Sequence, residues 1–316
     1  MRGAARHGRR NDLARNQQGD FRRMSRALRL PSWLAPPQAE VAIEFAQGRV
    51  TVSRVGRSGD PLSATSLSET LPSGAVTPAL AAKNIEQPQV VIGAVKKVLE
   101  RAGFGRPKRV ALIIPDSAAR VSLIPLETVP TRASDLDQLI RWHVKKATPF
   151  PIEDAVLSYG TAATEGGGTT IAAVVAHRAV VAEYEAIADA VGAHAGAVDV
   201  ASLTVINAAI ASESVPQGDW LLVCLAPEST TIAIMRGTAL MFHRHRLTVD
   251  EEPLTALVHQ TAMYYEDRLG GTQFQRVILA GGASDAAREL AKREISDRLK
   301  TPVQTLDALL KERGAA

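Results

Sequence analysis

A chain of 316 residues with 46% apolar and 22% charged side chains is longer than one ordinary domain and can bury a sizeable core, so two lobes of a globular protein are expected. Its net charge of +4 is local, because nine arginines against two aspartates give residues 1–30 a charge of +7 and leave −3 on the remaining 286 residues. The lone Cys224 excludes an intramolecular disulfide framework and fits a reducing compartment, and no apolar run approaches the roughly 18 residues that a membrane span needs.

The arginine-rich leader lacks the apolar segment of a signal peptide and has too little periodic apolar content to fold. Residues 1–36 are read as a disordered basic extension, ahead of a true start at Met24 and ahead of a basic arm for anionic lipid or nucleic acid. Without aromatics interleaved for base stacking, nucleic acid is not an expected partner.

From Glu40 the pattern is β. Val41–Ala46, Arg49–Val55 and a weaker run near Ser63–Leu71 read as consecutive antiparallel strands, turned at Gln47-Gly48 and at Gly56–Pro61. A helix follows over about Gln89–Ala102 with Gly103 as its stop, then a buried-type strand over Lys108–Ile114.

The stretch Arg120–Tyr159 is the most distinctive. Val121, Leu123, Ile124 and Leu126 form a short strand that Pro125 confines to an edge or an end, since proline cannot donate to a ladder. Ser134 is placed as the cap of a helix whose Leu136, Leu139, Ile140 and Val144 share one face. Pro149-Phe150-Pro151 ends it, and Ala155–Tyr159 reads as a strand. Beyond lie a strand at Thr169–Ala176, a helix over Arg178–Val191, and Gly196–Val200 leading into a helix through Ala211. Pro216–Asp219 marks a lobe boundary. Strands at Trp220–Ala226, Thr230–Arg236 and Ala239–Arg246 then repeat the three-strand meander. A helix over Glu251–Leu269, a strand at Arg276–Ala280, a helix capped by Ser284 and a last strand over Pro302–Leu306 complete the chain.

A helix, then Pro149-Phe150-Pro151-Ile152-Glu153, then an apolar strand ending in Tyr159 resembles the signature of the PilM-like pilus-assembly proteins, members of the actin/FtsA/Hsp70 ATPase-fold superfamily. The resemblance covers roughly Val41 to Leu309 and implies an α/β, two-lobe actin-like fold with a small inserted α+β subdomain. The expected division is 37–115 with 177–215 as first lobe, 116–176 as insert and 216–312 as second lobe. The implied role is a cytoplasmic scaffold of type IV pilus assembly, peripheral to the inner membrane, that binds the N-terminal tail of a membrane-anchored PilN-like partner. The bound tail would lie as an extended segment in an apolar groove, with Val121, Leu123, Leu126, Phe150 and Ile152 as its expected contacts. The alternatives are an ATP-hydrolysing enzyme of the same fold and a GspL-like adaptor of type II secretion, although such adaptors carry a membrane span after the actin-like part. Self-association into a homo-oligomer stays open.

The same resemblance implies ATP with magnesium between the lobes, and here the chain departs from the pattern. Relatives that bind ATP carry D-x-G-[ST]-x-x-x-K at the first hairpin. In this chain Glu44 keeps the carboxylate, Gln47 and Gly48 form the turn, Ala46 replaces the glycine and Thr51 the lysine. The second hairpin lacks its Asp and Gly but keeps Thr230 and Thr231. Asp199 matches the carboxylate before the connecting helix, and Gly281-Gly282 matches the loop on which a purine lies. Nucleotide binding therefore stays open while hydrolysis is not expected. Elsewhere, His243 and His245 share a strand face at metal-compatible spacing without a third ligand in view, and Ser117 has no ordered histidine that would make it a nucleophile.

Overall fold

The computed structural model describes residues 39–54, 65–211, 218–250, 252–282 and 284–314. The arginine-rich leader, the Gly56–Pro61 turn, Ser63, Pro216 and Gln217, Glu251 and Ala283 lie outside the described residues.

The first sheet begins with an antiparallel meander of β1 (Val41–Ala46), β2 (Arg49–Arg54) and β3 (Thr65–Thr70). Period-two alternation buries Val41, Ile43 and Phe45 and leaves Ala42, Glu44 and Ala46 half-buried on the other face. β4 (Arg109–Ile114) joins parallel to β1, and β8 (His194–Val200) parallel to β4, giving the order β3-β2-β1-β4-β8. The helix α1 (Pro88–Arg101) starts on a proline, where the missing N–H costs nothing, and packs Val91, Val95, Val98 and Leu99 inward. Gly103, at a φ of 65°, then turns the chain. A second helix on this sheet, α3 (Arg178–Ala190), sets Tyr184 against Phe45 at 5.1 Å between ring centres.

Residues 71–87 cross to α1 mostly without regular structure, and buried hydrogen bonds replace the missing ladder. Asn84 is fully buried. Its Nδ2 donates to the carbonyls of Ala79 and Ala82, and its Oδ1 accepts from the Tyr184 hydroxyl at 2.8 Å. Glu183 accepts from the N–H groups of Asn84 and Ile85 at 2.8 and 2.7 Å. The loop is thus anchored to α3 across about a hundred residues of sequence.

The insert is a three-stranded antiparallel sheet of β5 (Ala119–Leu126), β6 (Ala155–Glu165) and β7 (Gly168–His177) in the order β5-β7-β6, so Pro125 does lie on an edge strand. The helix α2 (Ala133–Lys145) packs Ile140 and Val144 onto it. The capping expectation is corrected: Arg132 occupies the N-cap position with extended backbone, and Ser134 sits inside the first turn, its hydroxyl donating to Asp135 at 3.1 Å. β6 also runs six residues past Tyr159, because β7 pairs with Gly160–Glu165 despite their weak strand propensity.

The second sheet repeats the first. β9 (Asp219–Leu225), β10 (Ser229–Arg236) and β11 (Ala239–Leu247) form the meander, and β12 (Arg276–Gly281) and β13 (Val303–Thr305) add in parallel. The order β11-β10-β9-β12-β13 is the strand order of the first sheet. The duplication that the sequence only echoed is therefore explicit in the topology. Leu221, Val223, Ile232, Ile234, Val277 and Leu279 pack with α5 (Leu254–Leu269) and α6 (Asp285–Leu299). The alternate residues, among them Trp220, Leu222, Met235 and Ile278, face inward. There they join a core that is continuous with the first sheet through Leu203, Ile206 and Ala209 of α4 (Ala201–Ala211). The chain continues past the expected last strand into α7 (Leu306–Gly314).

Replacing Asn84 with alanine strips the loop of its internal partners and leaves the buried Tyr184 hydroxyl without its acceptor. The expected cost is on the order of 2–4 kcal/mol in urea unfolding. A change under about 0.5 kcal/mol would show that the network does not hold the loop.

Candidate functional site

The seam between the halves gathers side chains from four elements. Asp116 follows β4 in a short helical turn, and its carboxylate sits at the start of α4. It accepts from the Ser202 backbone N–H at 3.2 Å and from the Ser202 hydroxyl, so it satisfies first-turn donors where the helix dipole favours negative charge. On the second-lobe side, His243 and His245 lie on the β11 face that pairs with Ala233 and Thr231. His243 Nε2 is 3.1 Å from the Ser202 hydroxyl. His245 Nε2 is 3.2 Å from the Ser117 hydroxyl, and its Nδ1 is 3.0 Å from that of Thr231. The reading that Ser117 lacks an ordered histidine is thus corrected. The pairing joins residues 128 apart in sequence, which periodicity within one segment cannot reveal. The far nitrogen of His245 meets the Thr231 hydroxyl rather than a carboxylate, and Ser117 is buried, so the trio is built as a packed seam and not as an exposed nucleophile. Among the described residues no group of three His, Cys, Asp or Glu is placed to hold a metal ion.

Burial governs the charges. Asp116 is pushed up to about 6, first by desolvation and further by the nearby Glu228, against the opposing hydrogen bonds of Ser202. His243 is pulled down to about 4 by burial and by His245. Burial also raises Glu228, one of whose oxygens, Oε2, is buried without a hydrogen-bond partner. Burial raises Glu44 against the pull of Arg49, and raises Asp199 against the Val200 N–H and the Thr204 hydroxyl. The Cys224 thiol is raised by burial and by Asp116, consistent with an inert buried side chain.

The residues singled out in the sequence are only partly brought together. Glu44 pairs with Ile113 and Ile113 with Asp199, so the two carboxylates stand in one row on one face of the first sheet, two strands apart. Gln47 and Gly48 make a two-residue turn whose Gly48 carbonyl accepts from the Leu71 N–H at 2.8 Å. Thr51 is bonded to the Ser68 hydroxyl at 3.0 Å. Thr230 and Thr231 separate, because successive strand residues point to opposite faces: Thr231 lies in the seam and Thr230 on the α5 and α6 side. Gly281 and Gly282 have φ of 78° and 106°. A Cβ on Gly281 would overlap the Leu225 carbonyl, which also accepts from the Gly282 N–H at 3.0 Å, so this turn is required by contact with β9.

The expected partner contacts divide as well. Val121 and Leu123 are half-buried and pack toward the core shared by the two large sheets, whereas Phe150 is half-buried on the α2 side. Leu126 and Ile152, at 8% and 9% exposure, pack into the insert's own core. A groove of about 340 Å³ opens at the end of β5, lined by Pro125, Leu126, Glu127, Ala163, Thr170 and Met241.

Asp116 and His243 have opposing pH signatures. The raised Asp116 contributes stability at low pH that is lost as pH rises from 3.8 to about 6. The depressed His243 contributes stability above 6.5 that is lost as pH falls to about 4. Each amounts to about 3 kcal/mol, so in the native protein they nearly cancel. Between pH 6.5 and 4, His243→Gln should gain stability relative to the native chain and Asp116→Asn should lose it, by about 3 kcal/mol each in urea unfolding. Parallel profiles for all three proteins would contradict these burials.

No family model matches the chain, and no curated protein matches it in sequence. Among solved structures it aligns with the PilM–PilN type IV pilus biogenesis complex at a TM-score of 0.71 and 16% identity, over 85% of this chain and 88% of that one. It also aligns with a Bacteroides thetaiotaomicron protein of actin-like ATPase fold and unknown function, at 0.51 and 12% identity, over 86% and 93% of the two chains. The cytoplasmic domain of EpsL, an inner-membrane component of the type II secretion system of Vibrio cholerae, scores 0.45 at 8% identity over 87% and 94% of the two chains. The duplicated sheets and these alignments give one conclusion: the chain has the actin-like ATPase fold.

Proposed function

We propose that this chain is a scaffold of type IV pilus assembly that binds the cytoplasmic N-terminal tail of a membrane-anchored PilN-like partner, and that its interlobe cleft does not hydrolyse nucleotide. The observation that carries the reading is the extended structural likeness to PilM in complex with PilN. The three-sheet division supports lobes at 37–115 with 177–215 and at 216–312, with the insert at 116–176. Such a role places the chain in the cytoplasm, held to the inner membrane through its partner, and no described helix is long and apolar enough to cross a membrane.

The tail is expected along β5. Among the described residues no strand pairs with its outer edge, and an extended peptide can use those free backbone groups while side-chain pockets set specificity. The half-buried Val121, Leu123 and Phe150 remain available for contact, and Leu126 and Ile152 act by holding the groove's shape.

The cleft chemistry supports the non-hydrolytic part. A triphosphate needs cations, yet Asp116, Asp199 and Glu228 are raised by burial with hydrogen bonding to oppose that rise, and of the named carboxylates Glu44 is the one opposed by a cation, Arg49. Thr51 and Thr231 are committed to other hydroxyl and imidazole partners, and the glycine turn is explained by packing. Glu44, Asp199, Thr230, Gln47, Gly48, Gly281 and Gly282 therefore do not fit magnesium-bound ATP, and no catalytic step is assigned to them.

Titration calorimetry of the chain with a synthetic PilN-like tail tests the binding role. Phe150→Ala and Leu123→Ala should each weaken the tail about tenfold, equivalent to about 1.4 kcal/mol, with the fold retained by circular dichroism. Undiminished affinity in both folded variants would remove β5 and the Phe150 corner from the site. With magnesium and ATP, phosphate release should stay at background. Steady turnover that Asp116→Asn abolishes would make the cleft an active ATPase instead.

A further inference from the structure

In an actin-like fold the two lobes face each other across a cleft, and something must hold them in register. In this chain the described contacts across that cleft are already made by its own side chains. His243 and His245 reach from β11 of the second lobe to Ser202 at the start of α4 and to Ser117 after β4. Arg236 of β10 adds an outer tie, an ion pair with Glu165 of β6 at 3.0 Å, while a fork–fork pair with Asp219 holds the guanidinium in place. Beneath these ties the apolar core runs without a break from one large sheet to the other.

The chemistry of the inner pair suits a dry seam. An imidazole offers two ring nitrogens, and a hydroxyl can either donate or accept, so a histidine between two hydroxyls has a partner for each of those nitrogens. His245 lies between Ser117 and Thr231 in this way. Ser202 is the shared joint, since its hydroxyl meets both Asp116 and His243, and the backbone of the same residue caps the carboxylate. Ser117, Ser202 and Thr231 are all buried.

We propose that this histidine–hydroxyl network is a built-in latch that holds the lobes closed in the role a bound nucleotide would otherwise fill, so that the partner site is presented by a scaffold of constant shape. The inference rests on the non-hydrolytic reading of the cleft and is independent of which peptide binds. Ser117 and Ala119 are close neighbours in sequence, and Ala119 opens β5, so the latch reaches directly into the strand on which the tail is expected.

Hydrogen exchange of the full chain tests it. His245→Leu removes the bonds to Ser117 and Thr231, and Ser117→Ala removes only the bond between β11 and the turn that opens the insert and is the milder change. Both should speed exchange at least tenfold in residues 117–126 and 239–247 while leaving β9 and β12 unchanged, and those unchanged strands report that the second lobe remains folded. Native-rate exchange in residues 117–126 and 239–247 of both variants overturns the latch. In the native protein, magnesium-ATP should leave exchange at the same amides unchanged. Added protection there would overturn the non-hydrolytic reading of the cleft, and with it the claim that the latch stands in for nucleotide.

Discussion

The contact on which much of the structure depends is the half-buried carboxylate of Asp116 against Ser202. Ser202 offers it a first-turn N–H and a hydroxyl, and together they join the end of β4 to the start of the helix that connects the halves. A half-buried carboxylate is stabilised where such donors meet it, and desolvation still raises its pKa. From that joint α4 carries Leu203, Ile206 and Ala209 into the shared core, and the same hydroxyl receives His243 from the far lobe. One buried polar contact therefore organises the crossing between lobes.

The electrostatic character of the cleft follows from this arrangement. A cleft that manages phosphate carries cations and open glycine-rich loops. Here the hairpins are two-residue turns, the hydroxyls are spent on one another or on imidazole, and several carboxylates are raised by burial. These features commit the polar groups of the seam to one another. The actin-like architecture does not depend on what the hairpin and glycine-turn residues bind, because the topology is held by apolar alternation in the two sheets and not by the loops.

Much of the fold was legible from periodicity. The alternation Val41, Ile43, Phe45 gave β1 and its buried face, the spacing of Val91, Val95, Val98 and Leu99 gave α1, and Pro125 was rightly placed on an edge. The errors came where a distant partner overrode local preference. Gly160–Glu165 has little strand propensity but is paired by β7, and Ser134 has the chemistry of a cap but lies inside a turn that began earlier. The loop before α1 gave no signal at all, since its order comes from Asn84, Glu183 and Tyr184 acting together.

The candidate site divides along the same line. By itself the sequence determined which residue types stand at the hairpin and glycine-turn positions, because spacing from a recognisable strand is a local property. Tertiary structure alone decided what those residues do. It put Thr230 and Thr231 on opposite faces, buried Leu126 and Ile152 in the insert, and set Gly281 against the Leu225 carbonyl. It also brought Ser117 to His245 and Ser202 to His243, across separations of 128 and 41 residues. Contacts of that range depend on how two sheets and one connecting helix pack, and a one-dimensional pattern carries no information about the far side of a core.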